Sequence, residues 1–164
     1  MGQALLSRVE LLRGRFEAAP APVRPPWALA EPAFLEACTR CDDCRSACPE
    51  GVIQRGRGGY PEIDFRHGEC TFCGDCAEAC ETGALGDSTQ APWSHRARIG
   101  ESCLARKGVV CRLCEDQCEP RALRFRPVPG GAAPPTVDDE LCSGCGACVA
   151  PCPTEAISMT EPRP

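Results

Sequence analysis

Apolar residues fall along this 164-residue chain in short groups, and no uninterrupted apolar run approaches the length of a membrane span. One small-or-branched apolar pair recurs four times: Val52-Ile53, Ala84-Leu85, Ala122-Leu123 and Ala156-Ile157. Each predicts the start of a strand. "GVIQRGRGGYPEIDF" reads strand, glycine turn, strand, and "RALRFRPVPGGAAPPTVDD" reads the same way around a longer turn. "SHRARIG" predicts an outer strand that can pair with "AISMT" near the end of the chain. Ahead of the first pair, "EPAFLEAC" predicts a short helix, which leaves the first half without an outer strand of its own. The opening "MGQALLSRVELLRGRFEAAP" is a short amphipathic stretch without an apolar export core, a small-residue cleavage site or a twin-arginine pair.

Composition changes this picture. The hydrophobic share of 43% is supplied largely by alanine and cysteine, with only five Phe, two Trp and one Tyr. Seventeen Pro and sixteen Gly indicate turns rather than long elements. So little large apolar surface leaves a small chain marginal unless something bound serves as its core. The sixteen cysteines are the candidates for holding it. With no export signal, they predict metal binding in a soluble cytoplasmic protein rather than disulfides.

Their spacing is repetitive. Cys38, Cys41, Cys44 and Cys48 read C-x2-C-x2-C-x3-C, as do Cys70, Cys73, Cys76 and Cys80, and again Cys142, Cys145, Cys148 and Cys152. In "CLARKGVVCRLCEDQC", Cys111, Cys114 and Cys118 keep the last three positions, while Cys103 is displaced by five extra residues. The apolar pairs give an independent register, because each begins four residues after a motif's last cysteine. The third motif keeps that offset, so it is a true copy with a loop inserted between its first and second cysteines.

Three cysteines spaced by two residues let one tight loop wrap a cubic cluster. The fourth reaches a second cluster, as in bacterial dicluster ferredoxins. A four-cysteine zinc site uses two C-x2-C pairs from distant segments and leaves the third and fourth cysteines without a role. The prediction is therefore an α+β fold of two tandem dicluster ferredoxin-like units, short strands and short helices around iron–sulfur clusters. Residues 1–30 form an N-terminal arm, 31–87 the first unit and 88–164 the second. Sequential exchange assigns Cys38, Cys41, Cys44 and Cys80 to cluster one, and Cys70, Cys73, Cys76 and Cys48 to cluster two. Cluster three takes Cys103, Cys111, Cys114 and Cys152; cluster four takes Cys142, Cys145, Cys148 and Cys118. A nested pairing, motif one with four and two with three, is the alternative that the sequence leaves open. Proline follows the fourth cysteine at Pro49 and Pro153, comes one residue late at Pro120 and is absent after Cys80. Gly74, Gly144 and Gly146 permit close backbone approach to sulfur.

The net charge of −5 is unevenly spread, with the first unit acidic and the stretch from Arg96 to Arg126 basic. Four ligated cubanes of about −2 each would take the protein to roughly −13. Arg106, Lys107, Arg112, Arg121, Arg124 and Arg126 either offset that charge, form a docking face for an acidic partner, or are a solvated face. An acidic chain with few aromatics predicts no nucleic-acid partner. Trp27 in "VRPPWALAEP" belongs to a partner-binding arm or to a loop packed on the body; Trp93 reads as a core residue, and His67 and His95 as bystanders. No catalytic set or nucleotide fingerprint is present, so no enzyme is expected.

Beyond the cysteines, "RPPW", "CTRCDDC", "QRGRGGYP" and "CLARKGVVCRLCEDQCEPRALRFRP", with "SRVELLRGR" ahead of them, resemble the NapF-type ferredoxin accessory proteins of the periplasmic nitrate reductase system. The resemblance implies a cytoplasmic protein with four [4Fe–4S] clusters. It would act on the molybdenum-containing catalytic subunit before export, by cluster assembly or electron supply. A general ferredoxin-type electron carrier is the alternative.

Overall fold

A computed structural model describes residues 21–126 and 133–161. The N-terminal amphipathic stretch and the long turn expected between "RFRP" and "PPTV" lie, wholly or in part, outside the described residues.

The four apolar pairs are the centre of the fold, and all eight of their residues are buried. The expected strand from each pair forms in three of the four motifs. Strand β1 (Ile53–Arg55) pairs antiparallel with β2 (Pro61–Ile63) in the register Ile53 to Ile63, which puts both isoleucines on the buried face. Strand β3 (Arg96–Ile99) pairs antiparallel with the last strand, β6 (Ile157–Thr160), and β4 (Leu123–Phe125) pairs with β5 (Pro135–Val137). The second motif has no strand; its Leu85 makes a single bridge to Ala28. That bridge stands where the first half lacks an outer strand, and it draws in the N-terminal arm.

The described part of the arm, residues 21–30, is a loop packed on the body. Pro25 and Pro26 are fully buried, the amide of Ile63 donates to the carbonyl of Val23, and the Trp27 indole N–H donates to the carbonyl of Gln90 at 2.8 Å. Arg24 clamps it: its guanidinium donates to both carboxylate oxygens of Glu31 and lies 4.9 Å from the centre of the Phe34 ring. Phe34, in the expected short helix α1 (Glu31–Ala37), is 0% exposed and is the largest fully buried side chain. The buried cluster it joins is small and is completed by cysteines, with Cys44, Cys76 and Cys148 among its members.

Candidate metal centres

Each motif folds its cysteines by the same local devices. In motifs one, two and four both neighbours of the second cysteine are left-handed: Arg40 and Asp42, Phe72 and Gly74, Gly144 and Gly146. Two such residues flanking one cysteine turn the loop tightly around the cavity its sulfurs line. A residue with a Cβ costs about 1–2 kcal/mol in that conformation, so motifs one and two hold it against an intrinsic penalty that motif four avoids. Motif three does without it. Arg112 has φ −133°, because the inserted loop gives Cys103 room to approach without the sharp turn.

The third cysteine of motifs one to three rides on a one-turn helix: Cys44 on α2 (Asp43–Ser46), Cys76 on α3 (Asp75–Glu78) and Cys114 on α4 (Leu113–Asp116). In motif four, Cys148 sits in a turn. Of these third cysteines, Cys44, Cys76 and Cys148 are buried and Cys114 is half-buried. Burial, reinforced by surrounding thiols, pushes Cys44, Cys76 and Cys148 up to about 12 and Cys114 up to about 11. Burial likewise raises Cys70 to about 11.

After the fourth cysteine the four motifs converge again. The third residue on is left-handed in every one, whether glycine (Gly51, Gly83) or not (Arg121, Glu155), and its amide donates back to that cysteine's carbonyl. The turn therefore closes after Cys80 without the proline. In motifs two and four a threonine stands two residues past the last cysteine. Thr82 Oγ1 lies 3.6 Å from Cys80 Sγ, and Thr154 Oγ1 lies 3.8 Å from Cys152 Sγ. Backbone amides join them, from Leu85 to Cys80 at 3.4 Å and from Ala156 to Cys152 at 3.2 Å. Burial pushes the Cys80 thiol up, but these donors outweigh it and hold Cys80 below the ordinary thiol value. Cysteine spacing does not mark these threonines; their place two residues beyond the last cysteine, in alternate motifs, is the signal the sequence carries for them.

The sixteen cysteines line four cavities, four to each. Cys38, Cys41, Cys44 and Cys80 surround the first; Cys48, Cys70, Cys73 and Cys76 the second; Cys103, Cys111, Cys114 and Cys152 the third; Cys118, Cys142, Cys145 and Cys148 the fourth. Each encloses about 20 Å³ and opens to solvent. In every case three sulfurs come from one motif and one from its neighbour in sequence.

These residues fit a bulky inorganic cluster better than a single ion. Among the described residues, no three His, Cys, Asp or Glu side chains converge closely enough to share one metal ion. Sulfurs set around a cavity suit a cofactor with volume of its own. The loop of the fourth motif is packed closely from outside by other protein groups. A Cβ at Gly144 would sit 2.5 Å from the His95 carbonyl oxygen, and one at Gly146 would run into the Phe65 ring, so that loop has no room for a side chain at either place. The indole N–H of Trp93 is buried against Gly144 with no acceptor among the described residues.

The remaining singled-out residues lie apart from the cysteines. His67 is exposed, 3.6 Å from Asp64. His95 is half-buried against Trp93, its burial holding it below the ordinary imidazole value, and neither histidine lines a cysteine cavity. Trp93 is half-buried and packs on the core. Several of the basic residues are internally paired: Arg98 with Asp139, Arg106 with Glu101, Arg112 with Glu115. No helix among the described residues is long and apolar enough to cross a membrane.

Comparison with known proteins agrees with this chemistry. Residues 37–85 match the 4Fe-4S dicluster domain and residues 135–158 the 4Fe-4S binding domain. The chain is 45% identical over 152 residues to the ferredoxin-type protein NapF of Escherichia coli, covering 93% of each chain. It is 47% identical over 139 residues to the NapF protein of Haemophilus influenzae, covering 85% of this chain and 79% of that one. It is 36% identical over 172 residues to the methylamine utilization ferredoxin-type protein MauM of Methylobacillus flagellatus, covering 93% of this chain and 74% of that one.

Proposed function

The chain belongs to the NapF family of ferredoxin-type proteins, and from that premise we propose that it carries four [4Fe–4S] clusters and serves in the cytoplasm as an accessory factor for the catalytic molybdenum subunit of a periplasmic nitrate reductase. The observation that carries the cluster count is the division of sixteen cysteines among four cavities, one quartet each. The ligands are Cys38, Cys41, Cys44 and Cys80 for the first cluster, and Cys48, Cys70, Cys73 and Cys76 for the second. Cys103, Cys111, Cys114 and Cys152 hold the third, and Cys118, Cys142, Cys145 and Cys148 the fourth. The nitrate reductase assignment rests on the family, supported by the inserted third motif.

A bound [4Fe–4S] cluster supplies reversible one-electron transfer. The chain supplies the rest. The third cysteines of motifs one, two and four bring sulfurs into a water-poor setting, and the left-handed turns of those motifs aim their companions at the same cavity. Thr82, Thr154 and the amides of Leu85 and Ala156 donate toward the exchanged sulfurs of Cys80 and Cys152. Such donors stabilise negative charge on sulfur and favour the reduced state.

The test uses anaerobically purified protein and a strain lacking it. We expect about sixteen irons and sixteen labile sulfides per chain, capture of the leader-bearing catalytic subunit, and a catalytic subunit short of its own iron in the deletion strain. Normal maturation without this protein would sink the accessory role. A second reading, a general ferredoxin-type electron carrier, is favoured by the similarity to MauM, a ferredoxin-type protein named for methylamine utilization. It predicts normal maturation with slowed electron delivery.

A further inference from the structure

The two halves meet through motifs two and four. The amide of Cys70, the first cysteine of motif two, donates to the carbonyl of Cys145, the second of motif four, at 2.8 Å. One hydrogen bond therefore separates the backbones of two residues whose sulfurs belong to different quartets, one lining the second cavity and one the fourth. Aromatic rings close around that bond. Phe72 lines the second cavity and meets Trp93 edge to face, with ring centres 5.6 Å apart. Trp93 meets Phe65 at 6.1 Å, and Phe65 is buried against Gly146, which lines the fourth cavity. Trp93 also presses on Gly144. Both glycines have φ +82° and no room for a Cβ, so the fourth motif's loop is shaped to receive these rings. Within each half the neighbouring cavities share motifs: Cys44 and Cys48, four residues apart, line the first and second, while Cys114 and Cys118 line the third and fourth.

We propose that the four cavities form one continuous row in the order one, two, four, three, and that Phe65, Phe72 and Trp93 are the positioning residues of its central joint. The row differs from the order of the motifs along the chain, and it makes motifs one and three, not one and four, its ends. The inserted loop of motif three then lies at a terminus, where extra length disturbs no joint. The inference rests on the reading that each quartet holds a cluster, which iron content tests separately.

The experiment is electron paramagnetic resonance on the full-length, cluster-loaded protein after reduction, alongside iron and sulfide content. Trp93→Leu and Phe65→Ala are expected to retain the wild-type iron and sulfide yet lose the magnetic interaction between halves, leaving two separately coupled pairs. Trp93→Phe, which keeps a ring, is expected to keep it. A variant that merely destabilised the fold would lose iron in proportion. If the joint variants do not accumulate, Cys41→Ala with Cys111→Ala, disrupting centres one and three, leaves two and four, about eight irons per chain. The row requires that these two still broaden each other's spectra. Conversely, Cys73→Ala with Cys145→Ala should leave two centres without mutual broadening. Magnetically isolated inner centres, or an inter-half interaction unchanged in Trp93→Leu at full iron content, would overturn the row. Low iron in the wild type would instead overturn the cluster reading.

Discussion

Thr82 and Thr154 are the plainest case of a side chain whose role depends on a single atom. Each stands two residues past a motif's fourth cysteine, and each reaches the sulfur that is lent to the neighbouring quartet. The equivalent positions in motifs one and three are Glu50 and Pro120, so the device serves only the first and third cavities. A hydroxyl directed at sulfur eases the addition of an electron. Thr82→Val should therefore lower the reduction potential of the first centre by on the order of 20 mV, the equivalent of about 0.5 kcal/mol for one electron. A redox titration followed by paramagnetic resonance would show it, with the third centre unmoved. No shift in the first centre would mean that the hydroxyl faces elsewhere when the cluster is bound. The left-handed residues belong to this scale too. Gly51 and Gly83 advertise the turn after the fourth cysteine, but Arg121 and Glu155 occupy the same conformation with no such mark in the sequence. Only their amides' bonds to Cys118 and Cys152 reveal it.

At the scale of elements, the short helices and strands have little to hold them besides what they pack against. Helices of one turn are far below the length at which a helix is stable in water, and two-stranded hairpins are marginal alone. The N-terminal arm shows how few groups settle such a segment. Arg24 donates at 2.6 and 2.9 Å to Glu31, whose carboxyl is held below its ordinary value mainly by that hydrogen bond, with burial opposing. Its contribution is therefore present above the ordinary carboxyl range and is lost as the pH falls through the depressed folded value. With the Glu31 side chain 45% exposed, about 0.5 kcal/mol is a fair size for the pair. Tryptophan emission from Trp27 should report loosening of the arm as the pH falls below about 4. Glu31→Gln should abolish that acid step while leaving the cluster absorbance intact. An acid step unchanged in the variant would place the latch elsewhere. The strands were legible because the apolar pairs recur at a fixed offset from the cysteines. The absence of a strand in motif two was not, since Ala84-Leu85 follows the same pattern and differs only in finding Ala28 opposite it.

For the molecule as a whole, the buried cluster of side chains is completed by cysteines, so bound inorganic cofactors must take the place of a conventional core. Without them, thiols such as Cys44, Cys76 and Cys148 remain neutral at pH 7, since burial raises them to about 12. They lend the empty chain stability below the ordinary thiol value of about 8.5 that is lost as the pH rises toward 12. Iron chelation under anaerobic conditions should abolish the near-ultraviolet dichroism of the half-buried Trp27 and Trp93. Native dichroism in an iron-free chain would contradict the coupling of folding to cofactor binding.

Local chemistry alone determined much of this protein. Four motifs, the inserted loop in the third, the strands that follow the apolar pairs and the residues able to bind iron are all readable from spacing, because ligand spacing and hydrophobic pairing act over a few residues. The tertiary structure decided what spacing leaves open. It shows which motif's fourth cysteine lines which cavity, that the described part of the arm packs down beside Phe34, and that Cys70 meets Cys145 across the halves with Trp93 beside them. Those outcomes depend on segments tens of residues apart fitting one another's shape, and no periodicity along a chain encodes the fit between two surfaces.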